Sequence, residues 1–370
     1  MEVFNPEKYK KQIEESLKRK QIAFSFREPD CVPINISAGG SYFAKLFGYN
    51  IKDYYTDREI MIDVQLKSLT WRFEYLKDDR TDCALFLDIG PVAEGLFFNC
   101  PVEYPHDTSP RVVPILKDED DIVKLEIPEP SDHPKIQWLF NEVERTERML
   151  EKKGINLPFS FDFGIHPPLS AACAIMEPAT VYTMMYENPA AIKILFEKMQ
   201  DAFFRIRDYM DRRLGIKDRQ EIGLANDNSA FISNKMYCEM VLPYDKAIYE
   251  RYGKKGRYLH ADGPNDHNFR TFADELHLTF MDIGGFSSIE AAVRDMKGKV
   301  VIHGGLNNKD LYQGLTDTAK KKIRDAIRIA APGGGYEFAI GGETYPGVLP
   351  DTLIEMVKYV RRVGRYPIDI

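Results

Sequence analysis

From residue 157 to the C-terminus, short apolar runs alternate with longer stretches in which apolar positions recur every three or four residues. The first pattern is that of a strand buried on both faces, the second that of a helix with one buried side. Residues 157–164 are mostly apolar, end in glycine and soon meet a proline pair. A helical pattern over roughly 178–214 is interrupted near Glu187-Asn188-Pro189, which predicts two helices. Strands are then expected at 221–227, around Tyr258, and at 278–282, 300–305 and 336–342. Helices fall at about 236–252, 269–275, 288–296, 316–331 and 353–362. Upstream, 32–37 and 84–90 add two strand candidates, and helices are expected at about 59–76 and 135–153.

Eight strands alternating with helices point to an α/β protein, a (β/α)8 TIM barrel, as one domain over 1–370. A usual barrel of about 250 residues leaves an N-terminal helical extension, about 1–30, and an insertion, about 90–132. An open doubly wound sheet is the competing architecture. No G-x-G-x-x-G follows an early strand, and Pro332-Gly333-Gly334-Gly335 precedes a strand, so it reads as a helix stop.

Composition narrows the function classes. The chain is 44% hydrophobic and 29% charged with a net charge of −7, and no basic stripe suggests a nucleic-acid partner. Its first 20 residues read as a charged amphipathic helix, not a signal peptide. No apolar run approaches the roughly 18 residues that span a bilayer, and a cytoplasmic location is expected. The five cysteines, Cys31, Cys83, Cys100, Cys173 and Cys238, are odd in number and widely spaced, as reduced and mostly buried thiols would be.

The chemistry concentrates where strands end. Tyr258-Leu259-His260-Ala261-Asp262-Gly263 delivers an imidazole and, two residues later, a carboxylate into a glycine turn, on one side of a strand end. Such a pair serves as half of a metal site, as an acid/base pair, or as a histidine bonded to a turn-capping aspartate. A barrel would bring Ser37, Asp88, Asp162, Asp227, His260, Asp262, Asp282, His303 and Glu343 to one rim. Any one of them serves equally well as a helix cap; together they suggest a proton-handling or metal-capable pocket. Phe163, Tyr42 and Phe286 could shape an apolar pocket, though core packing suits each.

Several segments resemble the uroporphyrinogen decarboxylase superfamily, which includes corrinoid-dependent methyltransferases. Asn226-Asp227-Asn228-Ser229, Ile232-Ser233, Tyr237 and Leu242-Pro243-Tyr244-Asp245-Lys246 are similar to its acidic-Ser…Ile-Ser…Tyr…Leu-Pro-x-x-Lys signature. Leu259-His260-Ala261-Asp262-Gly263 stands where these proteins carry His-x-Cys-Gly, and Gly304-Gly305-Leu306-Asn307 resembles their penultimate glycine-asparagine strand end. The 342–350 loop and a helix ending Gly364-Arg365-Tyr366 resemble the family terminus. The resemblance implies the same barrel.

It also implies a branch. Porphyrin decarboxylases carry an N-terminal arginine-rich signature; here that place holds the arginine-free run 37–48, so propionate pairing is lost. The methyltransferase branch binds zinc through His-x-Cys and a later cysteine. This chain has Asp262 in the first cysteine position and Gly342, with Glu343 beside it, near the second. The resemblance therefore implies zinc on His260 with Asp262 and Glu343, and Glu239 as a further metal candidate. Oxygen ligands suit polarisation of an ether or alcohol oxygen better than activation of a thiol. Asp227 would orient the substrate or the attacking corrinoid, and Asn307 would line the pocket. His303 would stand behind the ligands. The chain lacks a D-x-H-x-x-G motif, so the corrinoid would come on a partner protein. The expected activity is methyl transfer between a small O-methyl compound and that corrinoid protein, with a homodimer as an assembly open to it. A decarboxylase, or a non-catalytic member of the same fold, are the alternatives.

Overall fold

The computed structural model describes residues 4–368. The chain forms two compact units, one from 1–83 with 258–370 and the other from 84–257.

The middle unit carries β1 (Leu85–Phe86), β2 (Val102–Glu103), β3 (Arg111–Val112), β4 (Phe159–Ser160) and β5 (Glu221–Ala225). β1 and β4 pair in parallel, whereas β2 and β3 form an antiparallel ribbon inside the stretch read as an insertion. The helical pattern of 178–214 resolves into Pro178–Glu187 and Pro189–Arg213. Asn188 separates them because its side chain accepts the Ala191 N–H, capping a helix that opens on proline. Ile192, Leu195, Phe196, Met199, Phe203, Ile206 and Met210 make the buried stripe of that helix.

The other unit holds the end of β6 (Gly256–His260) from Tyr258 on, with β7 (Phe280–Asp282), β8 (Val301–Leu306) and β9 (Tyr336–Ile340). β6 to β9 pair in sequence order, all parallel. Every residue of β9 is buried, as a parallel strand covered on both faces must be. Helices Ile289–Met296, Asp317–Ala330 and Pro350–Val363 follow β7, β8 and β9. The middle one is started by Thr316, whose side chain accepts the Ala319 N–H, and buries Ala319, Ile323, Ile327 and Ala330.

The expected first strand, 32–37, is extended but makes only single bridges. Asn35 donates to the Phe338 carbonyl of β9, and Phe338 to that of Pro33. Side chains serve the opposite edge: Asp79 accepts the Ile34 N–H at 2.8 Å, Asp78 that of Ile36, and Arg72 binds the Ile36 carbonyl. Pro33 has no N–H to give, which shortens the ladder. Buried Asp79 also binds Ser16, Arg19 and Arg361, tying helix Lys10–Phe24 and the last helix to this segment. The fold is α/β, with parallel strands and helices between them. Among the described residues no helix is long and apolar enough to cross a membrane.

Candidate active site

Four residues stand in a row across the sheet. His260, Asp282, His303 and Glu337 are Cα partners on β6, β7, β8 and β9, so their side chains leave the sheet on one face. His260 Nδ1 lies 2.9 Å from Asp282 Oδ2, and the other Asp282 oxygen accepts the Gly284 N–H at 3.0 Å. His303 Nδ1 lies 2.8 Å from Glu337 Oε2. Lys20, from the N-terminal helix, places Nζ 2.9 Å from Glu337 Oε1. Bases and acids therefore alternate from Lys20 to His260.

Burial alone would raise the Asp282 and Glu337 carboxyls. Hydrogen bonds from His260 and His303, with the positive charges around them, outweigh it and hold both below the ordinary range. Burial would likewise strip His303 of its proton; the Glu337 hydrogen bond and the charges of Asp282 and Glu337 raise it instead.

Asp262 brings Oδ2 to 3.8 Å from His260 Nε2, within ion-pair range and beyond a hydrogen bond. Its carboxylate lies against Gly284 and Gly342, and a Cβ at either would collide with it. Both glycines adopt positive φ, 66° and 68°, which L side chains resist. The space that a side chain at the expected second metal position, Gly342, would use is thus taken by the carboxylate of Asp262.

Each of the remaining expected ligands has neighbours of its own. Glu343 lies against Gly39, where its carboxylate takes the space a Cβ would need. Glu239 belongs to the other unit, on the π-helical turn Tyr237–Val241, with its side chain 63% exposed and 3.9 Å from Lys235 Nζ. Among the described residues no three His, Cys, Asp or Glu side chains come together as a group able to hold a metal ion. Two donors, His260 Nε2 and Asp262 Oδ2, fall short of the three protein ligands of a catalytic zinc. A three-ligand zinc does not fit the side chains as they stand.

Asn307 holds a loop: its Nδ2 donates to the Gly285 carbonyl at 2.7 Å, and its Oδ1 caps the next 3-10 turn. It also borders a cleft of about 370 Å³ with Phe286, Ser287 and Lys309. Phe286 is exposed there, whereas Tyr42 and Phe163 are core residues. Asp162 is taken by Arg207 and Arg219, and Asp88 accepts the Gly90 N–H of its own turn.

Asp227 starts the 3-10 turn after β5 in the middle unit. Around it the signature residues form a polar network. Asn226 and Tyr237 both donate to Asp245 Oδ2 at 2.8 Å, Ser170 donates to Asn226, and Tyr182 and Ser170 hold Asn228. Burial pushes the Asp245 carboxyl up to about 7, against those two hydrogen bonds.

Sequence reasoning passed over Glu337, Lys20 and a third imidazole–carboxylate pair. Fully buried Glu94 accepts the His166 backbone N–H at 2.6 Å and lies 2.8 Å from His166 Nδ1. A signal existed for Glu337, a charge inside an otherwise apolar strand at the same register as His303. None marked Lys20 among the many lysines of its helix.

The profile of the family described as Uroporphyrinogen decarboxylase (URO-D) matches residues 17–363. The chain belongs to the uroporphyrinogen decarboxylase family. No curated protein sequence matches it. Among solved structures, a methyltransferase from Methanosarcina mazei is similar, at 15% sequence identity and a TM-score of 0.66 over 94% of this chain and 98% of that one. At that identity the likeness is one of fold.

Proposed function

We propose that this chain is a cytoplasmic methyltransferase built on a closed (β/α)8 barrel. It would move a methyl group from a small O-methyl compound to a corrinoid carried by a separate protein. One observation carries the reading: the His260 ring is anchored through Nδ1 to Asp282 while its Nε2 faces Asp262. The ring is thus fixed from its Nδ1 side, with Nε2 at the end of a strand where a proton could pass to a leaving group. Family membership and a shared fold with a protein titled methyltransferase support the same reading. The arginine-free segment 37–48 argues against a porphyrin-type acid as substrate.

A corrinoid on the partner protein would supply the nucleophile that takes up the methyl group. This chain's part is to make the leaving oxygen departable. As the carbon–oxygen bond breaks, its electron pair stays on oxygen, and His260 Nε2 gives that oxygen a proton. Asp282 keeps the ring aimed and Asp262 compensates its charge. The product is the alcohol or phenol, and solvent reprotonates the ring. Asp227 would help orient the substrate.

The test is a panel of O-, N- and S-methyl compounds offered with a Co(I) corrinoid, reading the absorbance change on cobalt methylation and the demethylated product. Methylation driven by O-methyl donors is expected. Rates no faster than without enzyme across the panel, or carbon dioxide release from a carboxylated substrate, would overturn the reading.

A further inference from the structure

Lys20, Glu337 and His303 do more than fill the interior. Glu337 and His303 are buried beside Ile302 and Phe338 on strands that are otherwise apolar. Apolar side chains of similar size would pack there without the cost of desolvating each ion. The charges are nonetheless present and arranged in register: Lys20 on Glu337, Glu337 on His303, and His303 directly across from Asp282 on the neighbouring strand.

We infer that His303, Glu337 and Lys20 are positioning residues for His260, acting through Asp282. Glu337 anchors His303 by its Nδ1, and Lys20 anchors Glu337 by its other oxygen. The His303 ring then presents positive charge to the carboxylate of Asp282, which burial would otherwise leave poorly compensated. Asp282 has two further partners, the His260 ring and the Gly284 N–H, one on each oxygen. A fixed charge behind a carboxylate so held limits its rotation, and with it the rotation of the His260 ring. Burial is deepest in the middle of the row: the His303 side chain is 4% exposed, against 18% for Lys20 and 35% for His260. The rigid part of the row thus lies deep, and the working ring is at its accessible end.

The inference rests on the reading of His260 as the reacting acid, but its test reads ring nitrogens and needs no turnover. The experiment is proton and nitrogen NMR of protein labelled at histidine, comparing wild type with His303→Gln, Glu337→Gln and Lys20→Met. In wild type the His260 Nδ1–H should give a low-field resonance protected from solvent exchange. Its exchange is expected to accelerate at least ten-fold in His303→Gln, less in Glu337→Gln and least in Lys20→Met. Lys20→Met alters only the outer end of the row and guards against loss of folding in the two interior variants. An unchanged His260 resonance in every variant that folds would overturn the inference. A normal NMR response without methyl transfer would count against the reaction and leave the positioning role standing.

Discussion

The carboxylate of Asp262 occupies the space that a side chain at Gly342 would need. The sequence resemblance sets these two positions against a pair of cysteines, and here neither is one. One carries a carboxylate and the other has no side chain, and the carboxylate lies in the space left open. Gly342→Ala should therefore lose stability from both the left-handed backbone and the collision, on the order of 1–3 kcal/mol. In an Asp262→Ala background only the backbone strain remains, about 1 kcal/mol. Denaturant midpoints of the four proteins in this cycle measure the coupling; strictly additive costs would contradict a shared space.

Asp245 makes the middle unit sensitive to pH. Its folded value is pushed up to about 7, above that of an exposed aspartate. Below the unfolded value both states are protonated and the contribution is fully present. It is lost as pH rises from about 4 toward 7, where the unfolded chain has ionised and the folded one has not; above 7 the loss levels off. Asp245→Asn cannot ionise and should lack this component. The melting temperature of that variant, relative to wild type, is expected to climb between pH 4 and 7. Parallel curves would contradict the assignment.

Glu94 titrates the other way. Burial would raise the Glu94 carboxyl, but the His166 charge and its ring and backbone hydrogen bonds hold it below the ordinary range. The stability this supplies is in force above the ordinary glutamate value and is lost as pH falls through the folded one. His166→Ala leaves a buried carboxylate without its main partner and should cost roughly 3 kcal/mol near neutrality. Wild type and variant should converge on acidification, which unfolding curves at two pH values would check.

How much of this was legible beforehand follows from the range of the forces involved. Helix Pro189–Arg213 could be read because Asn188 and Pro189 act on their own neighbours. Likewise β8 and β9 announced themselves by apolar content, and the H-x-D turn placed His260 beside Asp262. The 32–37 strand is weaker than its composition suggests, since Pro33 and the Asp78–Asp79 side chains interrupt its ladder. Glu343 was expected on the metal because it follows Gly342 in sequence. Which way it turns depends on Gly39, some 300 residues away, and no local pattern encodes that. The His303–Glu337–Lys20 row is likewise a product of strand register and of a helix from the far end of the chain.

The account turns on the proton that His260 gives to the departing oxygen. Single-turnover methyl transfer to a Co(I) corrinoid should be measured for wild type and His260→Gln, with donors of graded leaving-group acidity and with zinc quantified in each protein. The predicted result is a loss of about 10²–10⁴-fold in the variant, largest for poorly acidic leaving groups, with little zinc in either protein. An equal loss for every donor, an undiminished rate, or one zinc per chain that disappears with His260 would contradict it.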